Sequence, residues 1–509
     1  MKKRIISAIL AALMLTGTMT ACGESAVNTN DETNAAADDT NPTGADQTAE
    51  ETEEELTDLE LRQRIPDDLP DVTYNGESFR VLMPVEKYAK YNFMSEILVE
   101  ELTGDACNDS VYNRNVRIED RFDVRFEVYD SETPQTDITT FVTAGTDDYH
   151  VVGFYDYVAS APILAGVLIN WLEAPYVNVD KPWHNKAAND GATINDRLYA
   201  ICSDLSISSM CFTYAIFANL DVANDYGYDA STLYGIVNEG KWTIDNFSDM
   251  ISQMYVDANG NGKADYNDTY GFGYEITNPA DVWLTAMGER VISVTPDGKS
   301  IELTFMSEKL ISAYEKIYNL HYNNVGFETL AAQYDEEKYF AEEKLVFAPL
   351  RFSAAYNQLR EMEAKYSMLP YPKYDENQEG YYTNADDKFS VFGLPLTSSS
   401  NLDFISTIFE ALCAESYKTV YPEYYDTALK GKYSTDAETA NMVELIMAGR
   451  AFDLSFQFGQ DAVKGLCYFI RERLRDKTDL ASKYKSGEKS LKKAIERNFS
   501  KAYDIDVSF

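Results

Sequence analysis

The sequence predicts an α/β fold built on a largely parallel sheet, because segments typical of strands alternate with helical ones. Strands are predicted at residues 78–84, 124–129 and 150–154, and helical segments at residues 96–123 and 137–144. This β-α-β-α-β order is typical of parallel strands joined by helices that cross the sheet. The chain has 509 residues, which is enough for two large cores, and it shows no repeat that would indicate a solenoid.

The second half of the chain continues the pattern with more helix and fewer strands. Helical sequence rich in tyrosine separates the later strands and dominates toward the C-terminus. One apolar stretch, residues 158–172, is too short to cross a membrane and contains Pro162, so we expect a buried helix there. The further strands are predicted at residues 212–218, 344–349, 367–370 and 389–394.

The N-terminus has the pattern of a bacterial export signal. A positive segment at residues 2–4 precedes an apolar run at residues 5–15, which is too short to span a bilayer. Residues 19–22, MTAC, resemble a lipobox, in which the chain is cut before the cysteine and a diacylglycerol is attached to its sulfur. We predict a signal peptide at residues 1–21 and a lipid on Cys22 that holds the protein on the outer face of the membrane. An ordinary cleaved signal with an incidental cysteine is the alternative.

The segment after Cys22 is polar and acidic. Residues 23–55 contain no aromatic side chain and, apart from Val27, no large aliphatic one, so they cannot bury enough surface to fold. We predict that residues 22–68 form the lipid anchor and a disordered acidic linker. The whole chain has a net charge of −40, which makes nucleic acid and anionic lipid surfaces poor partners, so the lipid is expected to be the protein's one membrane contact.

The remaining cysteines do not predict a disulfide framework. Their number is odd, no CxxC pair occurs, and the chain is long. A single bridge, for example between Cys202 and Cys211, is an open alternative to buried free thiols, which we favour. The cysteines concerned are Cys107, Cys202, Cys211, Cys413 and Cys467.

A series of short segments, each weak by itself, occurs in a characteristic order along residues 69–509. They are NGESFRVL, GDACNDSVYNRNVRIEDRFDV, INWLEAPYVNVDKPWHN, TINDRLYAICSDLSIS, FANLDVANDYG, EGKWTIDNF, DANGNGKADYNDTYGF and FAEEKLVFAP. Together they resemble the extracellular solute-binding proteins of carbohydrate ABC importers, which have the fold of maltose-binding protein.

That resemblance implies a helix-rich, two-lobed periplasmic-binding-protein fold of type II with a hinge between the lobes. Lobe one would comprise residues 69–216 and 388–424, and lobe two residues 217–387 and 425–509. The function implied is the capture of a sugar or oligosaccharide by closure of the lobes and its delivery to the permease subunits of an ABC importer. We expect the protein to act as a monomer.

Candidate sugar-binding residues follow from the chemistry of sugars, which present apolar faces and rings of hydroxyl groups. A sugar cleft therefore needs aromatic platforms beside polar side chains, and ligands of open α/β sheets lie beyond the carboxyl ends of strands. A packing role is the alternative for each candidate, and Trp242 is predicted to be a core residue. The predicted ligand-binding residues are Tyr155, Asp156, Tyr157, Trp183, Asn185, Asp204, Trp283, Arg351 and Phe352.

Residues 257–268 match the spacing of a calcium-binding loop. Oxygen-bearing side chains stand at positions 1, 3, 5, 9 and 12, a backbone carbonyl is available at position 7, and Gly262 occupies position 6. The aspartate at position 12 has a shorter reach than the usual glutamate. We predict a structural Ca²⁺, with a polar turn that binds no ion as the alternative. The predicted ligands are Asp257, Asn259, Asn261, Lys263, Asp265 and Asp268.

The sequence does not indicate an enzyme, and we predict no catalytic residues. Its histidines, His150, His184 and His321, are far apart, and it has no GxSxG, P-loop or GxGxxG motif. Acidic pairs are common, so a surface enzyme acting on glycans is an open alternative. A second alternative is a cell-surface adhesion or scaffold protein.

The lipid anchor gives the first testable prediction. The Cys22→Ala variant should appear in the medium or stay unprocessed, because no other segment of the sequence is expected to hold a membrane. Fractionation of cells followed by a carbonate wash measures this. A variant that still sediments with membranes after the wash would show that the lipoprotein prediction is wrong.

Overall fold

The protein consists of two α/β lobes joined by a hinge. The structure, a computed structural model, describes residues 3–4, 57–85, 96–332, 335–432, 437–459, 462–507 and 509. Cys22 and most of the predicted signal peptide and linker lie outside the described residues. No helix in the described part of the chain has the length and apolar character needed to cross a membrane.

The strands of the described residues form two main sheets and one hairpin. They are β1 (Lys3–Arg4), β2 (Glu77–Pro84), β3 (Val124–Ser131), β4 (Val151–Tyr155), β5 (Leu168–Ile169), β6 (Ala200–Ile201), β7 (Tyr214–Asn219), β8 (Tyr270–Tyr274), β9 (Ile292–Val294), β10 (Ile301–Leu303), β11 (Phe327–Thr329), β12 (Leu345–Arg351), β13 (Tyr366–Leu369) and β14 (Ser390–Pro395).

Helices cover both sheets. The α-helices are α1 (Asp58–Gln63), α2 (Ala106–Phe122), α3 (Pro134–Ala144), α4 (Ser160–Ala165), α5 (Lys186–Ala192), α6 (Ser208–Cys211), α7 (Leu220–Asp225), α8 (Ala230–Asn238), α9 (Ile244–Ile251), α10 (Asn278–Ala286), α11 (Glu308–Tyr322), α12 (Asp335–Ala341), α13 (Phe352–Tyr356), α14 (Leu402–Pro422), α15 (Ala437–Ala448), α16 (Leu454–Gln457), α17 (Phe469–Asp476) and α18 (Leu480–Tyr503), and a π-helix spans Glu423–Lys432.

The sheet of lobe one has the strand order β1-β3-β2-β4-β14-β5, with β6 also paired to β14. Strands β3, β2 and β4 run parallel, whereas β14 is antiparallel to β4, β5 and β6. The sheet of lobe two has the order β11-β8-β12-β7-β13, in which β7 is antiparallel to β12 and β13. Both sheets are thus mixed, because β7 and β14 enter them from the hinge in the reverse direction.

Three stretches of backbone lie side by side at the junction between the lobes, at residues 212–214, 383–386 and 449–451. The amide of Asp386 donates to the carbonyl of Phe212 over 2.9 Å, and the amide of Tyr214 donates to Asn384 over 3.2 Å. On the other side of the middle segment, Thr383 exchanges backbone hydrogen bonds of 3.1 and 2.8 Å with Gly449 and Ala451. These three hydrogen-bonded segments form the hinge.

The first two segments lie beside the expected lobe boundaries at residues 216 and 387. The third part of the chain, residues 425–509, is expected to belong to lobe two and also contacts lobe one. Helix α18 packs on α11 of lobe two and also on α4 of lobe one, where Lys501 Nζ donates to the carbonyl of Leu164 over 2.9 Å.

Two expectations about local structure are corrected. Residues 158–172 do not form one helix, because Gly166 adopts a φ of 68° and ends α4 before β5 begins. The predicted linker is too long, because the chain is packed on lobe one from residue 57 onward. There the guanidinium of Arg62 lies 4.6 and 4.7 Å from the ring centres of Tyr417 and Tyr421.

The cysteines of the described residues are free. Cys107, Cys202, Cys211, Cys413 and Cys467 are all buried and none is bonded to another. Burial raises the pKa of Cys202 to about 12, so its thiol stays protonated and unreactive. The expectation of buried free thiols is confirmed, and no Cys202 to Cys211 bridge forms.

Candidate functional site

The end of strand β4 lies against the hinge. The amide of Asp156 donates to the carbonyl of Phe389 over 3.0 Å, and the amide of Tyr157 donates to the carbonyl of Asp387 over 3.1 Å. Tyr155 and Tyr157 are both partly exposed, and their rings are parallel to within 8° with centres 6.1 Å apart. A parallel pair of tyrosine rings thus lies where lobe one meets the hinge.

Between these two tyrosines, Asp156 faces the interior. Its Oδ1 accepts a hydrogen bond of 3.0 Å from Nε2 of Gln457 in α16. Burial, helped by the nearby charge of Asp387, raises the pKa of Asp156 to about 7. The predicted role of Asp156 in binding therefore becomes a structural one, since its carboxyl group ties β4 to α16 instead of pointing at a ligand.

Two adjacent aspartates at the hinge, Asp386 and Asp387, have pKa values that are shifted in opposite directions. Burial alone would raise the pKa of Asp386, but the charges of Lys388 and Arg351 lower it. The side-chain amide of Asn278, which donates to Asp386 over 2.9 Å, lowers the pKa further. The pKa of Asp387 is raised by burial and by the charge of Asp386. The hydroxyl of Tyr468 donates to Asp387 over 2.5 Å.

Lobe two contributes a cation beside this pair. The guanidinium carbon of Arg471 in α17 lies 4.0 Å from the ring centre of Tyr468. Its Nη1 donates to Asp281 and to Asn278 of α10, each over 2.8 Å. Because α17 packs on α10, Arg471 belongs to lobe two, and Tyr468 directly precedes α17.

Five residues therefore form a continuous set of contacts from lobe one through the hinge to lobe two, and we call this set the inter-lobe site. Parallel aromatic rings, a carboxylate that accepts hydrogen bonds and a guanidinium that donates them are the groups that a sugar ring needs. The residues of the inter-lobe site are Tyr155, Tyr157, Asp387, Tyr468 and Arg471.

Arg351, predicted to bind the ligand, is buried beside the hinge. It is 2% exposed and donates to Glu337 over 3.2 Å, and its Nη1 lies 3.9 Å from Asp386. Its guanidinium carbon is 5.3 Å from the ring centre of Phe212. Arg351 therefore fixes the end of β12 against the hinge. Its neighbour Phe352 is fully buried. Phe352 is therefore a core residue and not the ligand-binding residue that the sequence predicted.

Both predicted tryptophan platforms lie in the core. Trp183 is fully buried, and its Nε1 donates to Oε1 of Glu410 in α14 over 2.9 Å. Trp283 is also fully buried and donates to the hydroxyl of Tyr274 over 2.7 Å. The N–H group of a buried indole needs one hydrogen-bond acceptor, and for both tryptophans this acceptor lies in the same lobe as the indole. The predicted facing of Trp183 and the Arg351–Phe352 pair across a cleft is wrong.

The last two predicted residues also have roles within lobe one. The side chain of Asn185 caps α5 by accepting from the amide of Ala188 over 3.1 Å. Burial raises the pKa of Asp204 to about 7, and its amide donates to the carbonyl of Trp183 over 2.8 Å. Neither belongs to the inter-lobe site.

Sequence reasoning missed Asp387, Tyr468 and Arg471. Tyr468 and Arg471 lie near the C-terminus, far from any predicted strand, and only the folded chain brings them to Asp387. A signal did exist for Asp387, because the charged run at residues 386–388 directly precedes a predicted strand.

The predicted calcium loop has the expected turn. The carboxylate of Asp257 accepts from the amides of Asn261 and Gly262 over 3.2 and 2.8 Å, and Gly262 adopts a φ of 71°. Asp265 accepts from the side-chain amides of Asn259 and Asn261 over 3.1 and 2.6 Å. Four of the predicted ligand residues therefore surround one turn.

Position 12 fits the ion less well. Asp268 is fully buried, and its carboxylate accepts from the hydroxyl of Tyr255 over 3.1 Å and from the amides of Ala258 and Asp265 over 3.2 and 3.0 Å. Across the described residues, no three His, Cys, Asp or Glu side chains are placed to hold a metal ion. Calcium binding by this loop stays a prediction and requires Asp268 to exchange some of these donors for the ion.

Comparison with solved structures gives the fold. No protein-family model and no curated protein matches the chain. The maltose-bound MalE3 of T. maritima is similar with a TM-score of 0.51 at 14% sequence identity, over 81% of this chain and 99% of that one. The ABC substrate-binding protein Lmo0181 of Listeria monocytogenes, in complex with cycloalternan, has a TM-score of 0.50 at 12% identity, with 82% and 99% covered.

A third similar structure is an ABC transporter solute-binding protein of Thermotoga lettingae bound with α-D-tagatose. Its TM-score is 0.51 at 12% identity, with 82% of this chain and all of that chain covered. At identities this low, the similarity shows the fold alone. The expected two-lobed fold of type II is therefore confirmed.

The calcium loop can be tested by removing the ion. A chelator should lower the melting temperature of the wild type, because an ion bound only to the native state stabilises it by about 2.7 kcal/mol at one hundred times its Kd. The Asp257→Ala variant should melt at the same temperature with and without chelator.

The matched control is Asp297→Ala, which removes an aspartate from another exposed turn and should keep the sensitivity to chelator. A wild-type melting temperature that stays constant when calcium is first added and then chelated would contradict the prediction.

Proposed function

We propose that this protein is a lipid-anchored extracellular receptor that captures a carbohydrate between its lobes and delivers it to the permease of an ABC importer. The observation that carries the proposal is the inter-lobe site, where the parallel rings of Tyr155 and Tyr157 are connected through the backbone of Tyr157 to Asp387, and Asp387 through Tyr468 to Arg471. The similar structures support it, since those proteins are bound to maltose, cycloalternan and tagatose.

Binding would use both parts of the sugar. The tyrosine rings offer flat apolar surfaces for the C–H face of a pyranose. The carboxylate of Asp387 accepts hydrogen bonds from sugar hydroxyl groups, and the guanidinium of Arg471 donates to their oxygens. Charged partners make such hydrogen bonds stronger than neutral ones, which suits a neutral ligand that must be taken from dilute solution.

Capture would be coupled to the position of the lobes. Tyr155 and Tyr157 belong to lobe one, whereas Arg471 lies on α17, which packs on α10 of lobe two, and Tyr468 directly precedes that helix. A sugar that touches both sets binds the closed arrangement more tightly than the open one and so shifts the equilibrium toward closure. The backbone segments at residues 212–214, 383–386 and 449–451 would absorb the rotation.

The remaining parts of the proposal rest on the sequence. The lipid on Cys22 would keep the receptor on the outer face of the membrane, the loop at residues 257–268 would bind a structural Ca²⁺, and the protein would act as a monomer. Turnover of a glycan by the purified protein would favour a surface enzyme instead. A failure to bind any glycan would favour an adhesion or scaffold protein.

The tyrosine pair gives the decisive variants. Tyr155→Ala and Tyr157→Ala should each weaken binding by roughly 1 to 3 kcal/mol, the usual cost of losing an aromatic anchor. Their melting temperatures should stay near that of the wild type, because both side chains are partly exposed. Isothermal titration calorimetry against maltose and a panel of oligosaccharides, with melting curves of the same samples, measures both effects.

A matched control is Tyr318→Ala, which removes a partly exposed tyrosine from α11 on the outside of lobe two. It should bind as the wild type does. If the Tyr155 and Tyr157 variants bind a wild-type ligand with unchanged affinity, the inter-lobe site is not where that ligand is held.

A further inference from the structure

The C-terminal helix α18 is basic in a protein that is otherwise strongly acidic. The chain contains 84 acidic and 44 basic residues. Within α18 the balance is reversed, because the acidic residues Glu488 and Glu496 are outnumbered by lysines and arginines. The basic residues of the helix are Lys483, Lys485, Lys489, Lys492, Lys493, Arg497 and Lys501.

Four of these residues form one row, which we call the basic stripe: Lys485, Lys489, Lys493 and Arg497. They follow one another at intervals of four residues, so that their side chains lie next to each other along the helix. All four are exposed, whereas the opposite face is buried in the core. At 1.5 Å per residue the stripe is about 18 Å long.

The stripe has little to neutralise it. Lys492, on the flank of the helix, pairs with Glu488 over 2.8 Å. Among the residues that the structure describes, Lys485, Lys489 and Lys493 form no ion pair, and Arg497 donates to the side chain of the neighbouring Asn498.

A row of like charges at this spacing destabilises the helix that carries it, by about 0.2 to 0.5 kcal/mol for each pair. The stripe therefore weakens α18 slightly, and an external anion would offset the repulsion between its side chains. The residues beside it are small and polar, namely Ser482, Ser486 and Ser490. A specific protein interface would instead present aromatic or aliphatic groups at its centre.

We propose that the basic stripe lays the body of the protein on an anionic lipid surface. A flat row of lysines without apolar anchors suits the phosphate groups of a bilayer. Each basic residue near the surface adds to the binding free energy, and it does so without recognising a particular lipid. The expected linker of about 34 residues has a mean reach of about 30 Å. A lipid on Cys22 would therefore keep the body of the protein at a high local concentration beside the membrane, so that even a weak contact of the stripe would be occupied.

The net charge of −40 does not prevent this contact. At physiological ionic strength, charges separated by more than about 8 to 10 Å of water are largely screened. Lysines that touch the bilayer therefore act at short range, while carboxylates on the far side of the lobes act weakly. The net charge of the whole chain does not reveal the positive charge of α18. For this reason, the sequence analysis predicted the lipid to be the one membrane contact.

The test uses protein that starts at residue 23, which has neither the lipid nor the predicted signal peptide, so that binding depends on the body alone. It should sediment with vesicles of phosphatidylglycerol and phosphatidylcholine, remain in solution with pure phosphatidylcholine, and leave the anionic vesicles at about 0.5 M salt. Adding Lys485→Glu, Lys489→Glu and Lys493→Glu should weaken binding at least about tenfold. Melting temperature and sugar affinity should not change.

The matched control carries Lys186→Glu, Lys241→Glu and Lys338→Glu, which change the net charge by the same amount at other exposed positions. It should bind the vesicles within about twofold of the parent protein. The proposal is overturned if the parent does not bind anionic vesicles, or if both triple variants lose binding equally. Neither result would affect the proposed sugar binding, which is measured separately.

Discussion

The hydrogen bonds between three adjacent segments of backbone at the junction of the lobes are the constraint on which the structure depends. Phe212 and Tyr214 bind the middle segment on one side, and Gly449 and Ala451 bind it on the other. Because the segments run side by side, they can bend together but cannot separate without losing these bonds. The lobes are therefore joined by a narrow connection, and the groups of the inter-lobe site are assembled around it.

The buried charges at the hinge fix the positions of the surrounding elements more than they stabilise the fold. Removing ions from water is costly, and the attraction between them returns that cost only with good geometry. Arg351 lies between Glu337 and Asp386 and over the ring of Phe212, so the end of β12 has one favourable position. This leaves Asp387, the next residue along the chain, at the surface that a sugar would contact.

The sequence predicted about half of the described strands and part of the site. Apolar runs identified β7, β12, β13 and β14 to within a few residues, because these strands are buried on both faces. Position after a strand did not reveal burial, which is why Trp183 and Trp283 were misassigned. Arg471 of the inter-lobe site lies on α17, and no local sequence pattern connects that helix with β4. Such long-range proximity is a property of the folded chain alone.

The central claim is that a sugar bound at the inter-lobe site closes the lobes around the hinge. Small-angle X-ray scattering of the protein, with and without a saturating sugar identified by calorimetry, tests this most directly. The account predicts a smaller radius of gyration and a smaller maximum dimension when the sugar is bound. Unchanged scattering at proven saturation would contradict it, since the ligand would then bind without bringing the lobes together.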